Sequence, residues 1–235
     1  MTSASRLTVI PVDGLPEITP RTRLGDVVAA IDELSEGDVV VVTQKIVSKA
    51  EGRIVAVDPD DKEAKRTLAE SEAVRILRRR GDLVVTETRH GFICANSGVD
   101  LSNVEGNNAV LLPVDPDRSA RKIRDIVRAK RGLEIGVIIS DTFGRPWRRG
   151  LVDVAIGCAG IAAVVDLRGE VDGTGRELVA TEMCVADEIA AAAELVMGKA
   201  AHVPIAIVRG IDSSWLREAS VADEIVRSYA EDLFR

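Results

Sequence analysis

A chain of 235 residues, 46% apolar and 29% charged, has the material for one large packed domain or two small intimate ones. Lys and Arg number 31 against 38 Asp and Glu, for a net charge of −7, and aromatics make up only 3%. That balance gives no general attraction to nucleic acid or anionic membrane, and the scarce aromatics argue against a stacking platform for single strands.

Cys94, Cys158 and Cys184 stand far apart without a Cys-x-x-Cys pair, and no signal peptide is read at the start. Reduced thiols in a cytoplasmic protein are expected. The longest nearly charge-free apolar stretch, residues 154–165, is shorter than the about 20 residues that span a bilayer.

In chain order, residues 7–12 read as a strand stopped by Asp13-Gly14-Leu15-Pro16. Leu24, Val27, Val28, Ile31 and Leu34 recur at helical spacing, and Gly37-Asp38 ends that helix. Val39, Val40, Val41 and Val42 are apolar on both faces, the pattern of a fully buried strand. A short strand over 53–57 leads to a turn at Asp58-Pro59-Asp60. Residues 62–80 are predicted as a helix burying Leu68, Ile76 and Leu77. Short strands follow at 83–86, 91–94 and 109–112. Residues 115–130 read as a basic amphipathic helix with Asp115 or Asp117 as its cap. Residues 134–140 form a strand that ends directly at Asp141-Thr142. An Ala-rich helix over 184–199, a strand over 204–208 and a closing helix over 221–234 complete the chain. Without a regular βαβ rhythm, the expected fold is α+β with mixed or antiparallel sheets, with no clear linker.

Several nucleotide signatures are missing. There is no Walker-type loop, Gly173-Thr174-Gly175 lacks the third glycine of a dinucleotide fingerprint, and no Gly-x-Ser-x-Gly elbow occurs. His90 and His202 are too few for a His-rich metal site and read as surface or structural residues. Cys158, in an apolar stretch, reads as a small core residue.

Four polar clusters remain. Residues 43–53 follow the valine strand and carry Gln44, Lys45 and Lys49, which suits either a site or a solvated loop. Residues 94–103 gather Asn96, Asp100 and Asn103, although Asp, Asn, Ser and Gly are also ordinary turn residues. Residues 140–150 are the most informative. There a buried strand delivers Asp141 and Thr142, oxygen donors suited to Mg²⁺ or Mn²⁺, followed by Arg145, Arg148 and Arg149 beside one of two tryptophans, Trp147. Such arginines clamp phosphate or carboxylate oxygens while Trp147 orders their stems; the bland alternative is a salt-bridged surface loop. Residues 166–178 read as a tight ligand loop or a hairpin turn.

Together these stretches resemble the coenzyme F-420:L-glutamate ligase family. The matching segments are VDGLPEI (12–18), IVSKAEGR (46–53), NSGVDLSN (96–103), SDTFGRPWRRG (140–150), GRELVATEMCVADEIAAAAELVMGK (175–199) and PIAIVRG (204–210). They cover nearly the whole chain in order. The resemblance implies a two-lobed, butterfly-like, homodimeric fold, a single ligase domain over 1–235, and γ-linked addition of L-glutamate to a deazaflavin acceptor. It also implies GTP as co-substrate and Mg²⁺ or Mn²⁺, as two divalent ions, with K⁺ a further candidate.

By the same resemblance, Leu15, Pro16, Glu17, Ile18, Gln44, Lys45, Lys49 and Asn103 lie on the nucleotide. Asp100, Asp141 and Thr142 match the metal ligands, with Asp141, Arg145 and Arg148 expected to carry the chemistry. Lys199 stands where some members have an acidic ligand: either water and phosphate complete the metal shell or Lys199 contacts phosphate directly, the bland alternative being a solvated lysine near a helix C-terminus. The chemistry agrees with these residues: a carboxylate must be activated before an amine attacks it, and phosphoryl transfer needs positioning and charge neutralisation. Other readings are a non-catalytic nucleotide- or metal-binding regulator, or an amide ligase for another pterin- or flavin-like acid.

Overall fold

Four consecutive valines with no exposed surface place β2 (Val39–Thr43) at the centre of the structure. The protein is described here from a computed structural model covering residues 6–58, 60–101, 107–199 and 201–233. In chain order, β1 (Thr8–Pro11) and α1 (Leu24–Ala29) precede β2, and α2 (Gln44–Ala50), β3 (Ile54–Ala56) and α3 (Lys62–Ser71) follow it. Next come β4 (Ala73–Arg80), β5 (Leu83–Thr88), β6 (Ile93–Ala95), β7 (Asn108–Val110), α4 (Pro116–Arg131), β8 (Gly136–Arg145) and β9 (Arg148–Ala159). The chain continues through β10 (Val165–Asp166), β11 (Glu182–Met183), α5 (Val185–Met197), β12 (Ile205–Arg209) and α6 (Val221–Glu224).

The central sheet has the order β1-β12-β2-β8-β9. Its β2–β8 pair is parallel and its other pairs are antiparallel, so the sheet is mixed. Helices cover both faces. On one, Ala120, Ile123 and Val127 of α4 join Ile46 and Val47 of α2 against Val40, Val42, Val137 and Ile139. On the other, Ala186, Ile189, Ala190, Ala193 and Met197 of α5 pack on Val39, Val41, Ile138 and Cys158. The 3- and 4-residue spacings on both helices are what a helix needs to bury one face. Smaller antiparallel sheets, β4-β5-β6, β3-β7 and β10-β11, complete the α+β arrangement.

The local signals explain α4 well. Asp115 caps it by accepting the amide of Arg118, Pro116 opens it, and Gly132 closes it in the left-handed conformation (φ 68°). Asp117 does not cap: its carboxylate accepts the amides of Cys158 (2.8 Å) and Val221 (2.9 Å), tying α4 to β9 and α6. A Cβ on Gly157 would lie 2.4 Å from the Pro116 backbone, so glycine there lets α4 sit directly on β9.

Three expectations are corrected. The helix from Leu24 stops at Ala29, because Arg131 donates to the carbonyls of Ala29 (2.9 Å) and Ile31 (3.0 Å) and satisfies groups a longer helix would have bonded internally. Residues 62–80 are not one helix: α3 ends at Ser71, and β4 pairs with β5 across the tight turn at Gly81. Leu77, expected inside, is 38% exposed. The closing helix is a single short turn, α6, whose Ser220 cap accepts the amide of Asp223.

The cysteines are free, with Cys94 and Cys158 buried. His90 is structural: it stacks on Phe92 with ring centroids 5.4 Å apart, and its Nε2 bonds the Pro113 carbonyl at 2.9 Å. Among the described residues no helix is long and apolar enough to cross a membrane.

Candidate active site

The parallel pairing of β2 and β8 sets Thr43 opposite Ser140. The next residues are Gln44, just past the carboxyl end of β2, and Asp141, at the same level on β8, which runs on beyond its parallel neighbour. Residues 44–50, expected as a polar loop, instead form α2, with Gln44 almost fully buried and accepting the Ser48 hydroxyl at 2.9 Å. Lys45 reaches Asp100, with Nζ 2.9 Å from Oδ2. Asp100 is fixed by a reciprocal backbone pair with Val110 (2.9 and 2.8 Å), and its ion pair with Lys45 brings this part of the chain to α2. Three of the four sequence clusters thus converge at one end of the sheet.

Asp141 lies near the middle of β8, not at a strand tip. Its partly covered carboxyl group has a pKa lifted from 3.8 to about 7, chiefly by burial and further by the charges of Asp153 and Asp100; the amide of Thr142 and the charge of Lys199 oppose the rise. Cys94 is close enough for Asp141 to add to the burial that holds its thiol at about 12, which leaves Cys94 unreactive.

Successive strand residues face opposite sides of a sheet. Phe143, two residues beyond Asp141, packs on the α4 side of the sheet, whereas Thr142 faces the α5 side. There Asp153, 3% exposed and opposite Thr142 in register, accepts from Thr142 Oγ1 (2.6 Å), Ser140 Oγ (3.1 Å) and Lys199 Nζ (2.8 Å). Glu194 of α5 completes the group: one oxygen meets Lys199 at 2.7 Å and the other accepts the Asp153 amide at 3.0 Å. Lys199 also bonds Thr142 Oγ1. Sequence reasoning missed Asp153 and Glu194. Their only signals were a carboxylate closing an apolar stretch and another inside an Ala-rich helix.

The other expected residues are spread more widely. Leu15, Pro16, Glu17 and Ile18 run without regular structure after β1, with Ile18 in the core below α2. Lys49 lies half-buried in the last turn of α2. Asn103 lies outside the described residues. Arg145 and Arg148 pair across the tip of the β8–β9 hairpin, where both are exposed, and Arg145 donates to the Arg149 carbonyl at 2.7 Å. Because β8 stays extended, Arg145 lies roughly 13 Å along the strand from Asp141, so the structure does not gather arginines around that carboxylate. Trp147 sits at the turn, 84% exposed and with a positive φ of 59°. The 166–178 segment is a hairpin, closed by a bridge between Val171 and Glu177.

Asp100 and Asp141 are hard oxygen donors, and Asp141 is a buried carboxylate with two acidic neighbours. They fit Mg²⁺ or Mn²⁺. Among the described residues no three His, Cys, Asp or Glu side chains stand ready as a complete ligand set, so the remaining oxygens would have to come from substrate and water. At Thr142 the Lys199 ammonium lies against the hydroxyl and is itself held by Asp153 and Glu194.

Residues 14–210 match the family F420-0:Gamma-glutamyl ligase. The chain belongs to that family. It is therefore an enzyme, a ligase. Among curated proteins, the coenzyme F420:L-glutamate ligase of Methanothermobacter thermautotrophicus is 42% identical, with 97% of this chain and 99% of the relative covered. That of Methanopyrus kandleri is 41% identical over 97% and 98%. The ligase of Archaeoglobus fulgidus carrying the same name is 39% identical over 98% and 97%.

Proposed function

We propose that this ligase adds L-glutamate through γ-glutamyl amide bonds to the deazaflavin precursor of coenzyme F420, using GTP and an acyl-phosphate intermediate. The supporting observation is the meeting of Gln44, Lys45, Asp100 and Asp141 at the carboxyl end of β2, beside the middle of β8, in a chain of this family. The terminal carboxylate of the acceptor attacks the γ-phosphorus of GTP, and GDP leaves. The α-amine of L-glutamate then attacks the acyl carbon, phosphate departs, and the amine gives up its proton.

Leu15 to Ile18, Gln44, Lys45, Lys49 and Asn103 form the nucleotide side. Lys45, already paired with a carboxylate, swings its charge to phosphate when the nucleotide arrives. Asp100 and Asp141 hold a divalent cation, which supplies neutralisation of phosphate charge. Arg145 and Arg148, exposed on the hairpin, meet the anionic acceptor tail. The enzyme works as a homodimer with a two-lobed, butterfly-like shape, each chain a single ligase domain.

Mass spectrometry after incubation with deazaflavin acceptor, GTP, Mg²⁺ or Mn²⁺ and L-glutamate tests the reading. The acceptor should gain one or more glutamyl residues, with GDP and phosphate released in equal amount. GTP binding without any glutamylated product overturns it in favour of a nucleotide-binding regulator.

A further inference from the structure

Lys199 is placed by the end of α5. Gly198, with φ 57° and ψ 168°, takes a backbone conformation that side-chain-bearing residues resist, and turns the chain so that the lysine runs back over β8 and β9. Its ammonium has three N–H donors and meets three oxygens: Thr142 Oγ1, Asp153 Oδ1 at 2.8 Å and Glu194 Oε1 at 2.7 Å. Two carboxylates and a hydroxyl around one positive centre are the donor set of a hard cation site. The carboxylate of Asp153 is nearly inaccessible and also takes the hydroxyl protons of Thr142 and Ser140, so the oxygens are held in place whether or not the lysine moves.

We propose that Lys199 is a built-in cation, filling the position beside Thr142 where a second divalent ion would otherwise sit. A divalent ion there would touch the ammonium, and the two would repel. The protein then has one divalent position of its own, at Asp100 and Asp141 on the other face of β8, and part of this inference rests on that reading. The lysine does two things a free ion would do: it offsets the buried charge of Asp153 and joins the end of α5 to β8. It does so at every metal concentration.

Mn²⁺ binding to the nucleotide-free protein, followed by electron paramagnetic resonance and equilibrium dialysis, decides the matter. Wild type should take up one Mn²⁺ per chain, with a mononuclear signal. Lys199→Ala and Lys199→Glu should each take up one more than wild type. Equal uptake by wild type and both variants overturns the proposal, as does a spin-coupled two-ion signal from wild type. No uptake by wild type, with one ion gained by Lys199→Glu, supports the built-in cation and overturns only the Asp100–Asp141 reading. If the variants fold poorly, their thermal midpoints give the same answer. Mn²⁺ should raise the variants by several degrees more than wild type, and an equal rise in all three overturns the proposal.

Discussion

The two faces of β8 carry an aspartate each, and they are solved differently. Asp153, delivered from β9 to the α5 side, is held by two hydroxyls and an ammonium in a nearly dry site. Asp141, on the α4 side, has acidic neighbours, and burial lifts its pKa to about 7. One carboxylate is finished by the fold; the other is left wanting a cation. Burial alone therefore does not mark a functional carboxylate. What marks it is burial without enough positive charge to match.

The comparison breaks most visibly at Asp141. Asp141→Asn should lower turnover by about 100-fold or more at saturating Mg²⁺, since an amide neutralises a hard cation poorly. Asp100→Asn should do the same, and the double variant should be little worse than either single one, read from kcat in steady state. Near-normal kcat for Asp141→Asn removes it from the chemistry.

On the other face the loss should be in stability. Asp153→Ala leaves Lys199, Thr142 and Ser140 without their shared acceptor, and an unfolding free energy lower by about 2–3 kcal/mol is expected from urea titration. A loss below about 0.5 kcal/mol would mean that the network contributes little.

A smaller effect separates the two by pH. With its pKa at about 7 rather than 3.8, folded Asp141 keeps a proton that the unfolded chain has released between about pH 4 and pH 7. The ion-free wild type should lose stability as pH rises through that window and level off above it. Asp141→Asn should remove that part of the slope, and identical slopes in the two proteins would refute the assignment. Smallest of all, Arg145→Ala at the exposed hairpin tip should change stability by less than about 0.5 kcal/mol while raising the Michaelis constant for the acceptor.

Much of this architecture was legible in the sequence. Val39 to Val42 announced a strand covered on both sides, and the basic amphipathic helix read over 115–130, with Asp115 as one of its two cap candidates, is α4. The 62–80 region was misread because Arg and Leu suit a helix locally, while β4 takes its strand form from pairing with β5 across the turn at Gly81. The Asp141 region was read as a strand tip, whereas β8 continues past it: nothing local to Phe143-Gly144 shows that β9 will return alongside it. Asp153 and Glu194 were invisible for a related reason. Asp153 acquires its meaning from Ser140 and Thr142 on the neighbouring strand and from Lys199, and Glu194 from the Asp153 amide 41 residues away.

The β8–β9 ladder shifts register once in its buried half, between Ile139, opposite Gly157, and Ser140, opposite Ala155, leaving Ile156 as an extra residue in β9. Side chains alternate faces residue by residue, so that one bulge decides which way everything beyond it points. A ladder running straight on would set Ile156 against Ser140 and Asp153 against Phe143, on the α4 side. Asp153 would then crowd a carboxylate already starved of positive charge, and Lys199 would lose its buried partner. Val154 and Ala155 would trade cores at the same stroke. The extra residue is what returns Asp153 to its place opposite Thr142: a β9 shorter by Ile156 would run straight and keep the aspartate on its face, whereas a β9 shortened with the bulge kept would turn it to the other.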